Sequence, residues 1–147
     1  MSDDAKIYEL YAENAHAQNE QPKMKVNKYG VKEWRLHGEL HRDGAPAIER
    51  ANGDKFWYHH GALHREDGPA IERADGSKTW WLHSKLHRED GAAVELADGT
   101  KSWYLHGAYY ADVNQWAQAV LMMRNEPHDA EAVQKYVRMI LTKDDLL

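Results

Sequence analysis

The chain contains no cysteine, a single phenylalanine and four prolines in 147 residues. Without cysteine there is no disulfide framework, no thiolate zinc site and no iron–sulfur cluster. No apolar run approaches the ~18 residues that would suggest a membrane span. The opening Met1-Ser2-Asp3-Asp4-Ala5-Lys6 lacks the basic-then-apolar pattern of a secretory leader, so a reducing cytoplasm is the expected location. Positive charge is not in excess either: 19 basic side chains face 24 acidic ones, for a formal net charge of -5. That balance argues against a dedicated nucleic-acid binder. Phosphate-cradling glycine loops and a serine nucleophile elbow are also missing. With 42% hydrophobic and 29% charged residues, the composition is that of a globular chain of one domain, or one domain with a small appendage.

What is present is tryptophan, six residues, and histidine, ten, and much of both is periodic. Trp34, Trp57, Trp80 and Trp103 are each 23 residues apart, as are Gly30, Gly53, Gly76 and Gly99, Lys32, Lys55, Lys78 and Lys101, and His37, His60, His83 and His106. All ten glycines lie between Gly30 and Gly107. A period of this length implies stacked supersecondary units, each too small to bury its own apolar face.

The unit reads as β. Asn52-Gly53, Asp75-Gly76 and Asp98-Gly99 carry the signal of two-residue type I′ hairpin turns between short β-compatible runs. Such a turn sets Ile71 opposite Trp80, Glu72 opposite Thr79 and Ala70 opposite Trp81, and likewise Ile48 opposite Trp57 and Val94 opposite Trp103. Ahead of Tyr29-Gly30, Val26 would need a one-residue shift, so the first hairpin is expected to be degenerate. Alternation then separates two faces. Trp34, Leu36, Trp57, His59, Trp80, Leu82, Trp103 and Leu105 form the expected core face. Arg35, Tyr58, Trp81 and Tyr104, with His37, His60, His83 and His106, form the other, and the turn register adds Glu49, Glu72 and Glu95 to it.

The two ends differ. Asp112 can N-cap a helix with Val113, Trp116, Val120 and Met123 on its apolar side. Asn125-Glu126-Pro127 breaks it. A second helix starts near His128, with Val133, Tyr136, Val137, Ile140 and Leu141 on one side. This helical hairpin is expected to cap the open end of the stack. Residues 1–28 form an N-terminal arm, with a short helix near Lys6–Ala15 or partial disorder. The expected layout is therefore mainly β: an elongated antiparallel repeat sheet of about four hairpin units over 29–110, closed by a helical hairpin over 111–147.

The unit Gly53-x-Lys55-x-Trp57-Tyr58-x-His60-Gly61-x-Leu63-His64-Arg65-x-Asp67-Gly68-Pro69-Ala70-Ile71-Glu72 resembles a divergent MORN repeat. It is also similar to repeats in uncharacterised bacteriophage and bacterial proteins. The resemblance covers residues 29–110 and departs from the common pattern in its His-Arg and Asp-Gly-Pro-Ala segments. It implies a curved antiparallel sheet used as a scaffold or partner-binding module, with phospholipid binding proposed for some members. It brings no catalytic residues.

Three constellations remain. His37/His41, His60/His64 and His83/His87 are spaced i, i+4, which on a helix would place two imidazoles over one metal. Gly38 and Gly61 interrupt them, so hydrogen-bonded turn or sheet histidines are expected, with no metal or other cofactor. The Leu-His-Arg-x-Asp-Gly stretch offers acid–base groups at His64, Arg65, Glu66 and Asp67 and again at His87, Arg88, Glu89 and Asp90. An enzyme needs one such site, and repetition favours structural ion pairs, with Arg65 and Arg88 reaching acids of the neighbouring unit. Arg35, Tyr58, Trp81 and Tyr104 are residue types that anchor protein interfaces. The reading is a non-enzymatic module that binds a protein partner, as a phage-type inhibitor or regulator of a host protein would. A His-based metal or hydrolytic protein, and a scaffold self-associating through its C-terminal helices, are the alternatives.

Overall fold

The computed structural model describes residues 20–145; the helix expected near Lys6–Ala15 lies outside the described residues. The described chain forms β1 (Lys23–Val26), β2 (Lys32–Leu36), β3 (Glu39–Leu40), β4 (Ile48–Glu49), β5 (Lys55–Phe56), β6 (Tyr58–His59) and β7 (Ala62–Leu63). It continues with β8 (Ile71–Glu72), β9 (Lys78–Thr79), β10 (Trp81–Leu82), β11 (Lys85–Leu86), β12 (Val94–Glu95), β13 (Lys101–Leu105) and β14 (Ala108–Tyr110). Helices α1 (Val113–Met123) and α2 (Ala130–Asp145) follow. Strands β1-β2-β4-β5-β8-β9-β12-β13-β14 make one antiparallel sheet, ten-stranded with β3 beside β2, while β6/β7 and β10/β11 are separate hairpins.

Each 23-residue unit supplies two hairpins, and the repeating tryptophan is where the chain passes from one to the other. The Trp57 N–H donates to the Ala70 carbonyl at 2.7 Å, while the Trp57 carbonyl accepts from the His64 N–H at 3.1 Å. Trp34 makes the same two bonds with Ala47 and His41, and Trp80 with Ala93 and His87. The second hairpins are also tied sideways. Gly61 donates to Leu40, Ser84 to Leu63 and Gly107 to Leu86, at 2.8–2.9 Å. Two parallel rows of hairpins therefore run along the stack.

The tight two-residue turns fall at the His-Gly and His-Ser segments and not at the Asx-Gly segments. Arg35↔Leu40, Tyr58↔Leu63, Trp81↔Leu86 and Leu105↔Ala108 leave tight turns at His37-Gly38, His60-Gly61, His83-Ser84 and His106-Gly107. Both turn residues are at positive φ in each, as a type I′ turn requires. The Asx-Gly segments instead make wider loops. The Arg73 N–H donates to the Ser77 carbonyl, the Asp75 carboxylate accepts the Ser77 N–H at 2.8 Å, and only Gly76 is at positive φ. This is a type I turn ending in a left-handed glycine bulge.

The extra loop residue shifts the register by one, so the strand before each loop presents its side chains to the faces opposite those expected. Ile71 pairs with Thr79 rather than Trp80, Ile48 with Phe56 rather than Trp57, and Val94 with Ser102 rather than Trp103. Carried one residue further, the same register sets Trp57 between Ala47 and Ala70, both wholly buried. The indole fills the space that the two small side chains leave. Glu49, Glu72 and Glu95 stand on this tryptophan face, in the row Lys32–Glu49–Lys55–Glu72–Lys78–Glu95–Lys101. Alternating charges directly opposite one another favour this register by about 0.2–1 kcal/mol per pair. The first hairpin keeps the common register, Val26↔Lys32 and Met24↔Trp34, with no shift. The sheet thus begins at Lys23, inside the segment assigned to the N-terminal arm.

Side chains bridge successive units as well. Buried Asp54 accepts the Ala74 N–H at 2.8 Å, and at the next equivalent position Ser77 Oγ accepts the Ala97 N–H at 3.0 Å. The Ala74 amide, the Asn52 side chain and the Arg73 and Arg50 guanidiniums hold the Asp54 carboxyl below the usual carboxylate range. A depressed folded-state pKa means that Asp54 stabilises the fold above its unfolded pKa and that this is lost as pH falls through the folded value. The stability difference between the natural protein and Asp54→Asn should therefore be largest near neutrality and shrink below about pH 4. Denaturant titrations across that range will read it. A difference independent of pH would show that the carboxylate charge is immaterial.

The helices close the C-terminal end. Asp112 N-caps α1 by accepting the Asn114 N–H. At its other end Asn125, at φ 55°, and Glu126 donate to Met122 and Leu121 in a Schellman stop. Trp116, Val120 and Leu121 of α1 and Val133, Tyr136, Val137 and Ile140 of α2 pack on Trp103 and Leu105. Met123 and Leu141, expected on the apolar sides, are exposed; Ala117 and Leu121 turn inward in α1 instead. The third-unit loop latches the cap. Glu89 O accepts from Tyr136 Oη and Arg124, and Lys143 lies 3.6 Å from Asp90. Burial raises the Asp90 carboxyl, but Arg88 and Lys143 outweigh it and leave Asp90 below the ordinary range.

Candidate functional site

Two side-chain columns of each unit carry the chemistry. In the first, an arginine lies over the unit's indole. The Arg42, Arg65 and Arg88 guanidinium carbons sit 3.8, 4.0 and 3.8 Å from the ring centroids of Trp34, Trp57 and Trp80. Each Nη1 then bonds the carbonyl of Pro46, Pro69 or Ala92 and approaches Glu49, Glu72 or Glu95. In two units a glycine lets the guanidinium pack close against the backbone, and the first unit carries Ala45 at that position. A Cβ at Gly91 would lie 2.6 Å from Arg88 Cζ, and one at Gly68 2.9 Å from Arg65 Cζ. Arg65 and Arg88 therefore find their acids a few residues on, Asp67 and Glu72 or Asp90 and Glu95, rather than in a neighbouring unit.

The second column is an imidazole ladder between units. His41, His64 and His87 accept at Nδ1 the backbone N–H of His60, His83 and His106, at 3.0, 3.0 and 2.9 Å. The paired rings lie 4.2–4.4 Å apart. With Nδ1 accepting, the proton sits on Nε2, which faces Asp43, Glu66 or Glu89 at 3.2–3.5 Å. The i, i+4 pairs do not meet over a common ion; each imidazole pairs with the turn of the following unit. A backbone N–H is one partner, and a carboxylate is the other. The turn histidines tolerate their left-handed backbone, φ 45–50°, better than most side chains.

This geometry separates two isosteric substitutions. Asparagine places its oxygen near the Nδ1 position and glutamine near Nε2. His64→Asn should retain the bond to His83 and lose less than about 1 kcal/mol, whereas His64→Gln should lose about 1–3 kcal/mol by leaving that N–H unpaired. Chemical denaturation of the two variants checks the order, and equal losses would contradict the ladder.

The remaining candidate residues lie on the face opposite the indoles. Arg35, Tyr58, Trp81 and Tyr104 occupy equivalent positions of neighbouring hairpins, opposite Leu40, Leu63, Leu86 and Tyr109. Arg35 is exposed, and Tyr58, Trp81 and Tyr104 are half-buried. Trp81 Nε1 donates to Thr79 Oγ1 at 2.7 Å, which fixes its ring beside the Ile71–Thr79 row. His37, His60, His83 and His106 are exposed at the turn tips. Glu49, Glu72 and Glu95, expected on this face, are on the other. So is His59, expected in the core and found exposed.

Two clefts of about 540 and 420 Å³ open on the tryptophan side, between the loops of successive units. Their walls are Trp80 with Arg65, Arg88 and Glu89, and Trp57 with Arg42, Arg65 and Glu66. Their arginines are already bonded, and the same constellation recurs along the stack. Such walls suit holding loops together better than one general acid or base. The arginine–indole stack was not read from the sequence, although its signal is there: an arginine stands eight residues after Trp34, Trp57 and Trp80, and Ala111 stands at that distance from Trp103.

No family model, curated protein or solved structure matches the chain. No helix among the described residues is long and apolar enough to cross a membrane.

Proposed function

We propose that this chain is a non-enzymatic binding module that docks another protein on the face carrying Arg35, Tyr58, Trp81 and Tyr104, rimmed by His37, His60, His83 and His106. The observation that carries this reading is the sideways bonding of the second hairpins. It sets one guanidinium and three rings in a column on a rigid sheet, on the face opposite the indoles. Pre-ordered aromatic and arginine side chains lose little entropy on binding and form typical hot spots. The resemblance to MORN-type repeats points the same way, and a phage-type inhibitor or regulator of a host protein fits the small, acidic chain.

Pull-down from the native host with the full chain tests the reading. Tyr58→Ala/Trp81→Ala/Tyr104→Ala should lose the captured partner, with affinity down at least about 100-fold. Exposed Arg35→Glu, which leaves those rings in place, should weaken capture about 10-fold. Undiminished capture by both variants would remove the face from consideration. Because Glu49, Glu72 and Glu95 stand elsewhere, single-stranded nucleic acid belongs among the probes, and saturable binding of it would replace the protein-partner reading.

A further inference from the structure

The repeat is broken at one position by a residue with ligand chemistry. Two residues after the repeating tryptophan stand Leu36, Leu82 and Leu105, but in the second unit His59. Exposed there, His59 gains none of the burial that Leu105 obtains at the end of the stack. It instead adds a third imidazole to the ladder pair of His41 and His60. The ring centroids are 4.6 Å apart for His41–His59, 4.3 Å for His41–His60 and 4.5 Å for His59–His60. One nitrogen from each lies within 4.8 Å of the others. Asp43 Oδ1 sits between two of them, 3.4 Å from His41 Nε2 and 3.5 Å from His59 Nδ1, and Glu39 is 3.6 Å from His60 Nδ1.

We propose that His59 and His60 bind a divalent transition-metal ion, with the Asp43 carboxylate beside it and His41 as the positioning residue. Imidazole with carboxylate suits zinc, nickel or copper better than calcium or magnesium. His41 is assigned the positioning role by its one hydrogen bond and its place beside Asp43. Its Nδ1 is engaged by the His60 N–H, so its Nε2 carries a proton and faces Asp43. It is 3% exposed and its ring is held in place. A buried ring nitrogen beside the carboxylate belongs to the kind of outer shell that orients the ligands of a metal centre. His59 and His60 are exposed, so an ion reaches them from solvent. The other units hold the same ladder pair and carboxylate, His64 on His83 with Glu66 and His87 on His106 with Glu89, but leucine in place of the third imidazole. The site shares His60 with the rim of the proposed docking face, but its test requires no partner.

The full chain, stripped with a strong chelator, is titrated with zinc and separately with nickel by calorimetry. One saturable equivalent is expected. His59→Leu restores the residue the other three units carry, so it should fold normally, and its affinity should fall at least about 10-fold. Asp43→Asn should fall about 10–100-fold. Leu82→His, which rebuilds the set on His64, His83 and Glu66, should add a second equivalent. No saturable binding by the natural protein, unchanged affinity in His59→Leu, or a single equivalent in Leu82→His would each overturn the proposal.

Discussion

Trp116→Ala is expected to cost about 3–5 kcal/mol and to lower the melting temperature by roughly 10–15 °C. Trp116 is wholly buried, its ring lies 4.6 Å from that of Trp103, and its Nε1 donates to the Arg88 carbonyl. In three units an arginine covers the indole. In the last, that position is Ala111, and the helix brings Trp116 to Trp103 instead. Alanine at 116 would uncover Trp103 and Leu105 at the free end of a stack in which each unit leans on its neighbours. Unfolding should then spread inward from β13 and β14. Calorimetry gives the size of the loss, and hydrogen exchange its direction: protection should fall in β12–β14 before β4 and β5. A loss under about 1 kcal/mol would mean that the sheet end needs no cover.

Trp57→Ala should cost a similar amount, about 3–5 kcal/mol, because this indole is buried between Ala47 and Ala70 and beneath Arg65. Removing it leaves two alanines unable to fill the space and takes the cation–π support from the Arg65–Glu72 pair. Trp34→Ala, at the same repeat position, should cost less than half as much, since Trp34 is only half-buried and pairs on its outer side with the exposed strand β1. Denaturant midpoints for the two variants settle the comparison. Equal losses would show that the motif position, and not burial along the stack, sets the contribution.

The His59 site illustrates how a repeat both conceals and reveals chemistry. A 23-residue period makes each histidine look structural, and three of them, His41, His64 and His87, carry the same bond in three copies. The informative residue is the one that departs from the period, but its partners are His41 and Asp43 of the preceding unit. Spacing within a unit, which singles out i, i+4 pairs, could not find them. The Arg–Trp stacks escaped for a related reason, because alternation along a strand says nothing about which loop folds back over it.

Composition and period by themselves determined that the chain is a stack of β-hairpin units closed by two helices, that its indoles repeat in one column, and where the first helix begins. Those features follow from local preferences and from the burial that equal units demand of each other. Which face the strand before each Asx-Gly loop presents was beyond the sequence. Asp-Gly serves both a two-residue turn and a wider loop with a glycine bulge, and the two differ by one residue of register. Only the assembled sheet decides between them, because the chosen register sets alanine against tryptophan and lysine against glutamate in every strand pair from β2–β4 to β12–β13 at once.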